Sequence, residues 1–565
     1  MNPTRDRLRR MVDGLPPRSV RRRLALGWAV VTLVVAAATA PAVGISRDES
    51  VYLYAGERYA DWWKEVAVHP MQAWSHLDGA YGVNHEHPGL AKLVYGATHA
   101  LLAPDAAGQH GLTSHLQAFR FGAFLFAALL SVLLALAGHE LAGTAGGLLA
   151  PALFWLVPRH FFHGHPALLD MPVTALWFAT VLSYRRWLSV KPGEPGKTGR
   201  SARRFGWGLV TGLAFGAAIS VKHNAWFLPP LLLVHFVATH LRRVQRDRLA
   251  ALAPALPALV VGLGVFVVTW PWLWHDSLPR LRDYFQYHLR HENYPWMYLG
   301  QMLRDPPFPV AYPFVVTALT VPAAVLAAMV GGLLHAGSRL LVAIRRPERD
   351  AGISGSDELL YLLNGLFSIA LIALPQVPHF GGVKHWLPSM PFLAVLGARA
   401  LVSAGRTLWP ARAAAVTAVL AIFTLAPALA AVVHIHPFGT AAYNELAGGA
   451  AGAASLGMQR QFWGDDMVAA LDTINAHALP NARVWYQEAT QLATVAYQRD
   501  GRLRPDLRWA ETAEQADVSV WHHHAEFMDK EFTTWTQFRT AQPVAGVYLD
   551  EVPLIEVYAR AGAWR

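Results

Sequence analysis

The sequence predicts an α-helical, polytopic membrane protein that ends in a small extracytoplasmic α/β domain. Of its 565 residues, 54% are hydrophobic and only 15% are charged, whereas a soluble domain carries about 25% charged residues. The formal charge of +10 would suit a nucleic-acid-binding protein, but basic residues in a membrane protein are explained by topology. Cysteine is absent, which excludes disulfides, thiolate metal sites and a cysteine nucleophile.

Eleven apolar runs approach the roughly 20 residues that cross a bilayer. They lie at about 24–44, 119–138, 142–158, 171–188, 206–221, 225–240, 250–271, 310–335, 358–376, 386–404 and 412–433. The leader before the first run is basic, so the positive-inside rule places the N-terminus in the cytoplasm and directs the first span outward. Its arginines are Arg5, Arg7, Arg9, Arg10, Arg18, Arg21, Arg22 and Arg23.

The later basic clusters test this orientation, and all of them fall on loops expected inside. They are Arg185, Arg186, Lys191, Lys197, Arg200, Arg203 and Arg204; Arg242, Arg243, Arg246 and Arg248; Arg339, Arg345, Arg346 and Arg349; and Arg406 and Arg412. The other loops are therefore expected to face outward. They are 45–118, 159–170, 222–224, 272–309, 377–385 and the tail from 434.

A further apolar stretch, Leu90–Leu102, is short and is interrupted by Lys92 and His99. We expect an interfacial helix at the outer surface. If the stretch were a span, every later loop would be inverted and the arginine clusters would lie outside.

The chain after the last run loses its long apolar segments and predicts a small α/β domain. Candidate strands are Ala482–Gln487, Asp517–Trp521 and the hairpin Ala545–Leu549/Pro553–Tyr558, with a helix at about Asp466–Ala478. We therefore expect three parts: a basic cytoplasmic N-terminus (1–23), a transmembrane module (24–433) and an extracytoplasmic domain (434–565).

The outer loops carry most of the unusual polar residues. Asp48 and Glu49 stand just beyond the first span and could simply cap a solvated helix. The triplet His85-Glu86-His87 could bind a metal, but residues i and i+2 diverge on a helix and converge only on extended chain. Both interpretations stay open from the residues alone.

Three lysines also occupy the outer ends of apolar segments. The chain has 7 lysines against 41 arginines, and Lys92, Lys222 and Lys384 stand at such ends, two of them followed by His223 and His385. Each could simply extend its ammonium group to the membrane interface. Together they predict a cationic pocket for phosphate.

Two more outer loops complete the candidate site. Asp170 follows a histidine-rich segment at the mouth of a span, and the segment from Trp272 and Trp274 to His288 is rich in aromatic residues. Such aromatics form either a membrane-interface belt or a surface that stacks sugars.

The order of these motifs resembles that of the GT-C glycosyltransferases. The acidic pair, the segment His87-Pro88-Gly89-Leu90-Ala91-Lys92, Arg120, Leu168-Leu169-Asp170 and Lys222 are most similar to the protein O-mannosyltransferase-like family 39, and more distantly to the lipid A aminoarabinose transferases. The resemblance covers residues 24 to about 404. It extends through Tyr443–Gly449 and Phe462–Asp465, which look like the junction in bacterial members with an outer C-terminal domain.

The resemblance implies a GT-C-like fold and transfer of a hexosyl or mannosyl group from a polyprenyl-phosphate donor on the outer face. Asp48 would be the base and Glu49 would orient the acceptor. The candidate phosphate ligands are Lys92, Arg120, Lys222, His223, Lys384 and His385, and the candidate sugar or acceptor pocket comprises His87, Asp170, Trp272, Trp274 and His288. The leaving phosphate is already anionic, so the reaction needs cations and a base for the acceptor hydroxyl.

The expected partners are a lipid-linked sugar and a protein, lipid or glycan acceptor, and the expected location is the bacterial inner membrane. No cofactor is indicated, although a divalent metal at His85, Glu86 and His87 stays an alternative. The competing functions are a transporter or flippase for a lipid-linked or anionic substrate and a non-catalytic assembly subunit. Transporters place ionisable groups near the midplane and often contain repeats. In the tail, His522-His523-His524 predicts a surface cluster rather than a metal site.

Overall fold

The computed structural model describes residues 17–105, 111–190, 198–246, 255–345 and 354–565. The basic leader up to residue 16 lies outside the described residues. So do Lys191, Lys197, Arg248, Arg346 and Arg349 from the predicted inner clusters.

Helix occupies most of the described part of every predicted apolar run, and the chain is a multi-pass helical membrane protein. The membrane part comprises α1 (Pro17–Thr39), α5 (His115–Trp155), α7 (Asp170–Ser189), α8 (Thr198–Ile219), α9 (Leu228–Arg246), α10 (Leu256–Val268), α12 (Tyr312–Thr320), α13 (Ala323–Arg345), α14 (Ser354–Ile372), α15 (Met390–Leu408) and α16 (Ala413–Ile435). Five described segments are long and apolar enough to cross a membrane individually: Ser19–Ala42, His115–Trp155, Ala323–Arg345, Leu387–Leu408 and Pro410–Ile435.

The second and third predicted runs form a helical hairpin within α5. Its backbone leaves the helical conformation at Ala142 and at Gly143, whose φ is 68°. Glycine tolerates this left-handed conformation at little cost. The Trp155 indole then donates to the Ser131 hydroxyl at 2.7 Å across the two legs, so the runs 119–138 and 142–158 are two helical legs that pack against each other.

The run 310–335, expected as one segment, is broken into α12 and α13. Val321 is extended (φ −88°, ψ 126°) and precedes Pro322. Proline disfavours helical backbone at the preceding residue and has no N–H to continue the helix. The predicted single helix was therefore wrong at this position.

The residues predicted at the inner ends of the helices meet at one end of the bundle. Arg185 pairs with Glu140 at 2.6 Å and with Asp357 at 2.6 Å, and Arg21 lies 3.3 Å from Glu140. Helices that are distant in sequence thus bring together the ends that are predicted to lie on the same side of the membrane. Which end faces the cytoplasm stays a prediction.

Helices from the loops predicted to face outward cover the opposite end of the bundle. They are α2 (Arg47–Val68), α3 (Pro70–Tyr81), α4 (Leu90–Leu102), the short α6 (Pro158–His163) and α11 (Ser277–Leu289), followed by a small hairpin of β1 (Trp296–Tyr298) and β2 (Gln301–Leu303). The bounds of α4 match the predicted interfacial helix. It packs closely on α2 because Gly56 faces Gly96, where a Cβ would overlap the opposite backbone.

The C-terminal region contains a five-stranded mixed sheet in the order β4-β3-β5-β7-β6. Its elements are α17 (Gly449–Ser455), α18 (Leu471–His477), β3 (Arg483–Tyr486), α19 (Gln491–Arg499), β4 (Arg508–Trp509), β5 (Val518–His522), α20 (Asp529–Phe538), β6 (Ala545–Leu549) and β7 (Val552–Ala559). All four predicted strands are confirmed. The predicted helix begins as a 3₁₀ turn, Asp465–Ala470, before α18.

The sheet region is attached to the N-terminal end of α5. Asp500 accepts hydrogen bonds from the backbone N–H groups of His115 and Leu116 at 2.9 and 3.0 Å. A carboxylate at this position satisfies free N–H groups of a helix N-terminus. These contacts fix where α5 begins.

Candidate active site

An acid–base pair joins two loops that are distant in sequence and that the sequence predicts to face outward. Asp48 lies in the first turn of α2, and Ser46 caps that helix by accepting from the Glu49 N–H at 3.3 Å. Lys384 belongs to a short 3₁₀ turn, Gly382–His385. Its Nζ lies 3.3 Å from Asp48 Oδ2, with the lysine side chain 9% exposed and the aspartate side chain 41% exposed. Asp48 is therefore an accessible carboxylate beside a largely buried cation.

A second pair lies deeper. Lys222, just beyond α8, donates to Asp170 Oδ1 at 2.6 Å, and the side chains are 15% and 6% exposed. Asp170 is the first residue of α7. This pair joins the loops 159–170 and 222–224, which the sequence predicts on the same side of the membrane.

The two pairs act electrostatically on the same buried side chains. Burial lowers the pKa of His163 to about 4, and Asp170 opposes this shift while Lys384 and Lys222 add to it. Burial also raises the pKa of Tyr52 well above its ordinary value, with further increases from Asp48 and Asp170. His163 and Tyr52 therefore lie within the electric field of both pairs.

Arg120 has a different environment from the one expected of a phosphate ligand. It forms a fully buried pair with Glu49, donating from Nε and Nη2 at 2.8 Å each. The remaining N–H groups donate to the carbonyls of Ala40, Val43 and Gly44 at 3.1, 2.7 and 2.6 Å. All five guanidinium N–H groups are used, so the geometry corrects the expected phosphate-binding role of Arg120.

Glu49 is equally committed. Its Oε1 also accepts from the Ala167 N–H at 2.8 Å, and its side chain is fully buried. It therefore cannot contact an acceptor without dismantling this network. The expectation that Glu49 orients the acceptor has no support in the geometry.

Lys92 is likewise saturated. It is fully buried, and its ammonium group donates to Asn84 O at 2.7 Å, Asn84 Oδ1 at 3.0 Å and His87 O at 2.8 Å. Burial lowers its pKa to about 7, against a rise from Glu86. All three N–H groups bind the turn that precedes α4. None is left for the expected contact with phosphate.

Four predicted site histidines lie near the lysines but are held neutral by burial. The rings of His223 and His288 stack at 3.9 Å, and His87 lies 5.6 Å from His288. Burial lowers the pKa of His288 to about 4 and those of His87, His223 and His385 well below the ordinary value. They can offer neutral hydrogen-bonding groups rather than positive charge.

Trp272 and Trp274 belong to an aromatic cluster beside α3. Trp272 stacks against the Arg280 guanidinium at 3.8 Å and lies 4.5 Å from the His85 ring. Trp274 stacks on Trp74 at 6.2 Å. These contacts hold both rings beside α3 and α11, and their expected position in the sugar pocket stays a prediction.

The metal alternative at His85, Glu86 and His87 is not supported. His85 Nδ1 contacts the Gly82 carbonyl at 2.9 Å, Glu86 accepts from Asn84, and His87 turns toward Tyr52. Across the described ranges, no group of three such side chains could hold a metal ion.

The histidine triplet of the tail is not a surface cluster. His522 is 0% exposed and His524 is 6% exposed, while His523 Nε2 lies 3.4 Å from Glu556. The triplet continues β5, a central strand with every residue buried. The predicted surface position was therefore wrong.

Three side chains of the site were not singled out from the sequence. Tyr52 follows Asp48 by four residues, a helical spacing that places both on one face. His163 stands in the histidine-rich outer loop, and Trp463 lies beneath Lys384, with Nζ 4.6 Å from its ring. Only the spacing of Tyr52 was a usable signal.

The family comparison agrees with the resemblance found in the sequence. Residues 47–274 match the family model described as "Dolichyl-phosphate-mannose-protein mannosyltransferase". The match begins at the first turn of α2 and includes Asp48, Asp170 and Lys222, although it covers less than half of the chain. It confirms the resemblance over this segment. No curated protein matches the chain significantly.

Solved structures with a similar arrangement include ArnT from Cupriavidus metallidurans and the oligosaccharyltransferase of Archaeoglobus fulgidus. Apo ArnT is 14% identical, with 94% of this chain and 98% of that chain covered and a TM-score of 0.47. ArnT bound to undecaprenyl phosphate is also 14% identical, with the same coverage and a TM-score of 0.46. The apo oligosaccharyltransferase is 11% identical, with 90% and 71% covered and a TM-score of 0.48. At these scores the likeness assigns no residue a role.

Proposed function

We propose that this chain is a membrane glycosyltransferase that moves a hexosyl group of the mannosyl type from a polyprenyl-phosphate donor to an acceptor hydroxyl. The reaction takes place on the extracytoplasmic face. The observation that carries the proposal is the partly exposed Asp48 carboxylate beside Lys384, backed by the Asp170–Lys222 pair. The family model supports a lipid-phosphate-linked sugar as donor.

In the proposed reaction the acceptor oxygen attacks the anomeric carbon of the sugar while the bond to the donor phosphate oxygen breaks. Asp48 accepts the proton of the acceptor hydroxyl, and the lipid phosphate leaves with the bonding electrons. This is a single displacement that inverts the anomeric centre. A positioned base of this kind contributes about 10²–10⁴-fold.

Lys384 and Lys222 are the phosphate ligands that the geometry favours. Within the described part of the chain, each ammonium group has one hydrogen-bonding partner, Asp48 and Asp170 respectively, and an ammonium group has three N–H donors. Lys92 and Arg120 have none to spare. Spare donors in a largely buried site can follow the charge that develops on the departing phosphate.

The remaining groups shape the site. Asp170 holds Lys222 in place, and the Arg120–Glu49 network fixes the backbone on the N-terminal side of Asp48. Lys92 orders the turn that carries His87. Such roles require burial and extensive hydrogen bonding, which Arg120, Glu49 and Lys92 have.

The test compares Asp48→Asn with Asp61→Asn in purified full-length protein. Asp61 lies on the same helix in an exposed pair with Lys64, so its substitution controls for charge on α2. With polyprenyl-phosphate hexoses as donors and a panel of hydroxyl acceptors, Asp48→Asn should lose about 10²-fold or more of transfer and keep donor binding. Undiminished transfer by Asp48→Asn would refute the base.

The proposed orientation has its own test, which the absence of cysteine makes clean. Single cysteines introduced at exposed Asp61 and at exposed Thr407 can be labelled in intact cells with a membrane-impermeant maleimide. The proposal expects labelling at position 61 only. The opposite pattern would place Asp48 in the cytoplasm and exclude an extracytoplasmic reaction.

A further inference from the structure

The C-terminal region contacts Lys384 and the residue immediately before Asp48 through one residue, Trp463. The Arg47 N–H, immediately before Asp48, donates to the Trp463 carbonyl at 2.9 Å. The ring of Trp463 faces the Lys384 ammonium at 4.6 Å, a cation–π distance. Trp463 therefore lies between the backbone of the proposed base and the side chain of its cation.

The side chain of Arg47 provides a second attachment. Its Nη2 lies 3.2 Å from Glu526 Oε2 and 3.7 Å from Glu488 Oε1, and its guanidinium covers the ring of Phe527 at 5.2 Å. All three partners belong to the C-terminal region. The residue adjacent to Asp48 is thus held by charge and by stacking.

Two further hydrogen bonds hold the chain on either side of Asp48. The Ile45 N–H donates to the Tyr497 hydroxyl at 2.6 Å, and the Thr490 hydroxyl donates to Ser50 Oγ at 2.8 Å. With Arg47, three of the residues within three positions of Asp48 are bonded to the C-terminal region. The C-terminal region therefore holds the chain both before and after Asp48.

The turn that presents Trp463 is itself unusual. Trp463 has φ 66° and Gly464 has φ 68°, and left-handed backbone is uncommon for a residue other than glycine. A Cβ at Gly464 would lie 3.1 Å from Glu488 Cγ. Strained backbone persists where the surrounding structure fixes it, often at functional sites.

We propose that the C-terminal region is a positioning element of the active site, with Arg47 and Trp463 as positioning residues that set the geometry of Asp48 against Lys384. This inference rests on the proposed function. It assigns the C-terminal region a part in catalysis without contact with the reacting atoms.

The first test separates turnover from donor binding. In full-length protein, Arg47→Ala should lower kcat about tenfold or more, because a small displacement of a base is costly, while the KM for the donor changes less than about threefold. Arg47→Lys should restore part of kcat. Arg483→Ala, which removes an ion pair within the sheet region, should leave both constants unchanged.

The second test asks whether Arg47 acts through its partner. Glu526→Gln removes a single contact and keeps the volume of the side chain, so it serves even if Arg47→Ala folds poorly. The loss in the double variant should match that of Arg47→Ala alone, since coupled residues are not additive. Additive losses would overturn the proposed linkage. For Trp463, Trp463→Phe should retain more activity than Trp463→Leu because it keeps an aromatic face.

The outcomes distinguish this inference from the proposed function. If Asp48→Asn abolishes transfer but Arg47→Ala and Trp463→Leu keep the original kcat, the positioning role is wrong and the transferase stands. If Asp48→Asn keeps transfer, the proposed base fails whatever the other variants do. Melting temperatures in detergent identify any loss of kcat that comes from unfolding.

Discussion

Arg120→Met should destabilise the protein rather than weaken its affinity for donor lipid. The substitution removes a guanidinium whose five N–H groups all bond to protein atoms and leaves Glu49 fully buried. The sequence resemblance had suggested a phosphate ligand at this position. The two roles therefore predict different measurable losses.

The expected cost follows from the geometry. Breaking a buried ion pair by removing one partner costs about 3–5 kcal/mol, because the other charge is left uncompensated. Each 1.4 kcal/mol changes an equilibrium constant tenfold. The substitution should therefore raise the equilibrium constant for unfolding by about a hundred- to several-thousand-fold. Three backbone carbonyls before α2 also lose a charged donor, so the effect should extend to the turn that carries Asp48.

The assay is unfolding of purified full-length protein in detergent, together with the donor KM of the folded fraction. Glu49→Gln added to Arg120→Met should recover part of the stability by removing the stranded charge. Lys64→Met, in an exposed pair with Asp61, should change stability by less than about 1 kcal/mol. A stable Arg120→Met protein with a strongly raised donor KM would refute this reasoning.

Other positions give separate predictions. Lys384→Met should lower kcat about tenfold or more, whereas Lys92→Met should lower thermal stability in detergent and leave kcat of the folded fraction within about twofold. Burial lowers the pKa of His163 to about 4, so this side chain binds fewer protons in the folded state than in the unfolded state. Stability should therefore fall as the pH falls from 6.5 toward 4, by at most about 1.4 kcal/mol per pH unit. His163→Gln should flatten this slope of stability against pH. Gly96→Ala should cost about 1–3 kcal/mol of unfolding free energy by overpacking, while Gly79→Ala, with open space around it, should cost less than about 0.5 kcal/mol.

The sequence predicted well the helices and which of their ends lie together, because both depend on local composition. Apolar length and the alternation of basic loops identify spans without knowledge of their neighbours, and α4 has the predicted bounds. The break at Pro322 was also encoded locally, but the apolar run around it obscured it. The buried position of His522 was not encoded locally, since it depends on which strands and helices cover β5.

The functional assignment of single cations could not be predicted in the same way. Lys92, Lys222 and Lys384 have similar sequence contexts, yet the three N–H groups of Lys92 are satisfied by a turn only five to eight residues away. Lys222 and Lys384 instead meet carboxylates 52 and 336 residues distant. Whether an ammonium group has spare donors is a property of the assembled fold.

Charge balance explains why the proposed base should begin the reaction paired with a lysine. Asp48, Asp170, Lys384 and Lys222 together carry no net charge, and a donor phosphodiester adds one negative charge. During transfer the acceptor proton neutralises Asp48, while the departing phosphate gains the equivalent negative charge. The total stays constant, but the charge moves from Asp48 to the phosphate, and Lys384, which faces Asp48 at 3.3 Å, is released at that moment. An interaction that strengthens as the bond breaks lowers the barrier more than one equally strong throughout, so the pairing itself favours turnover.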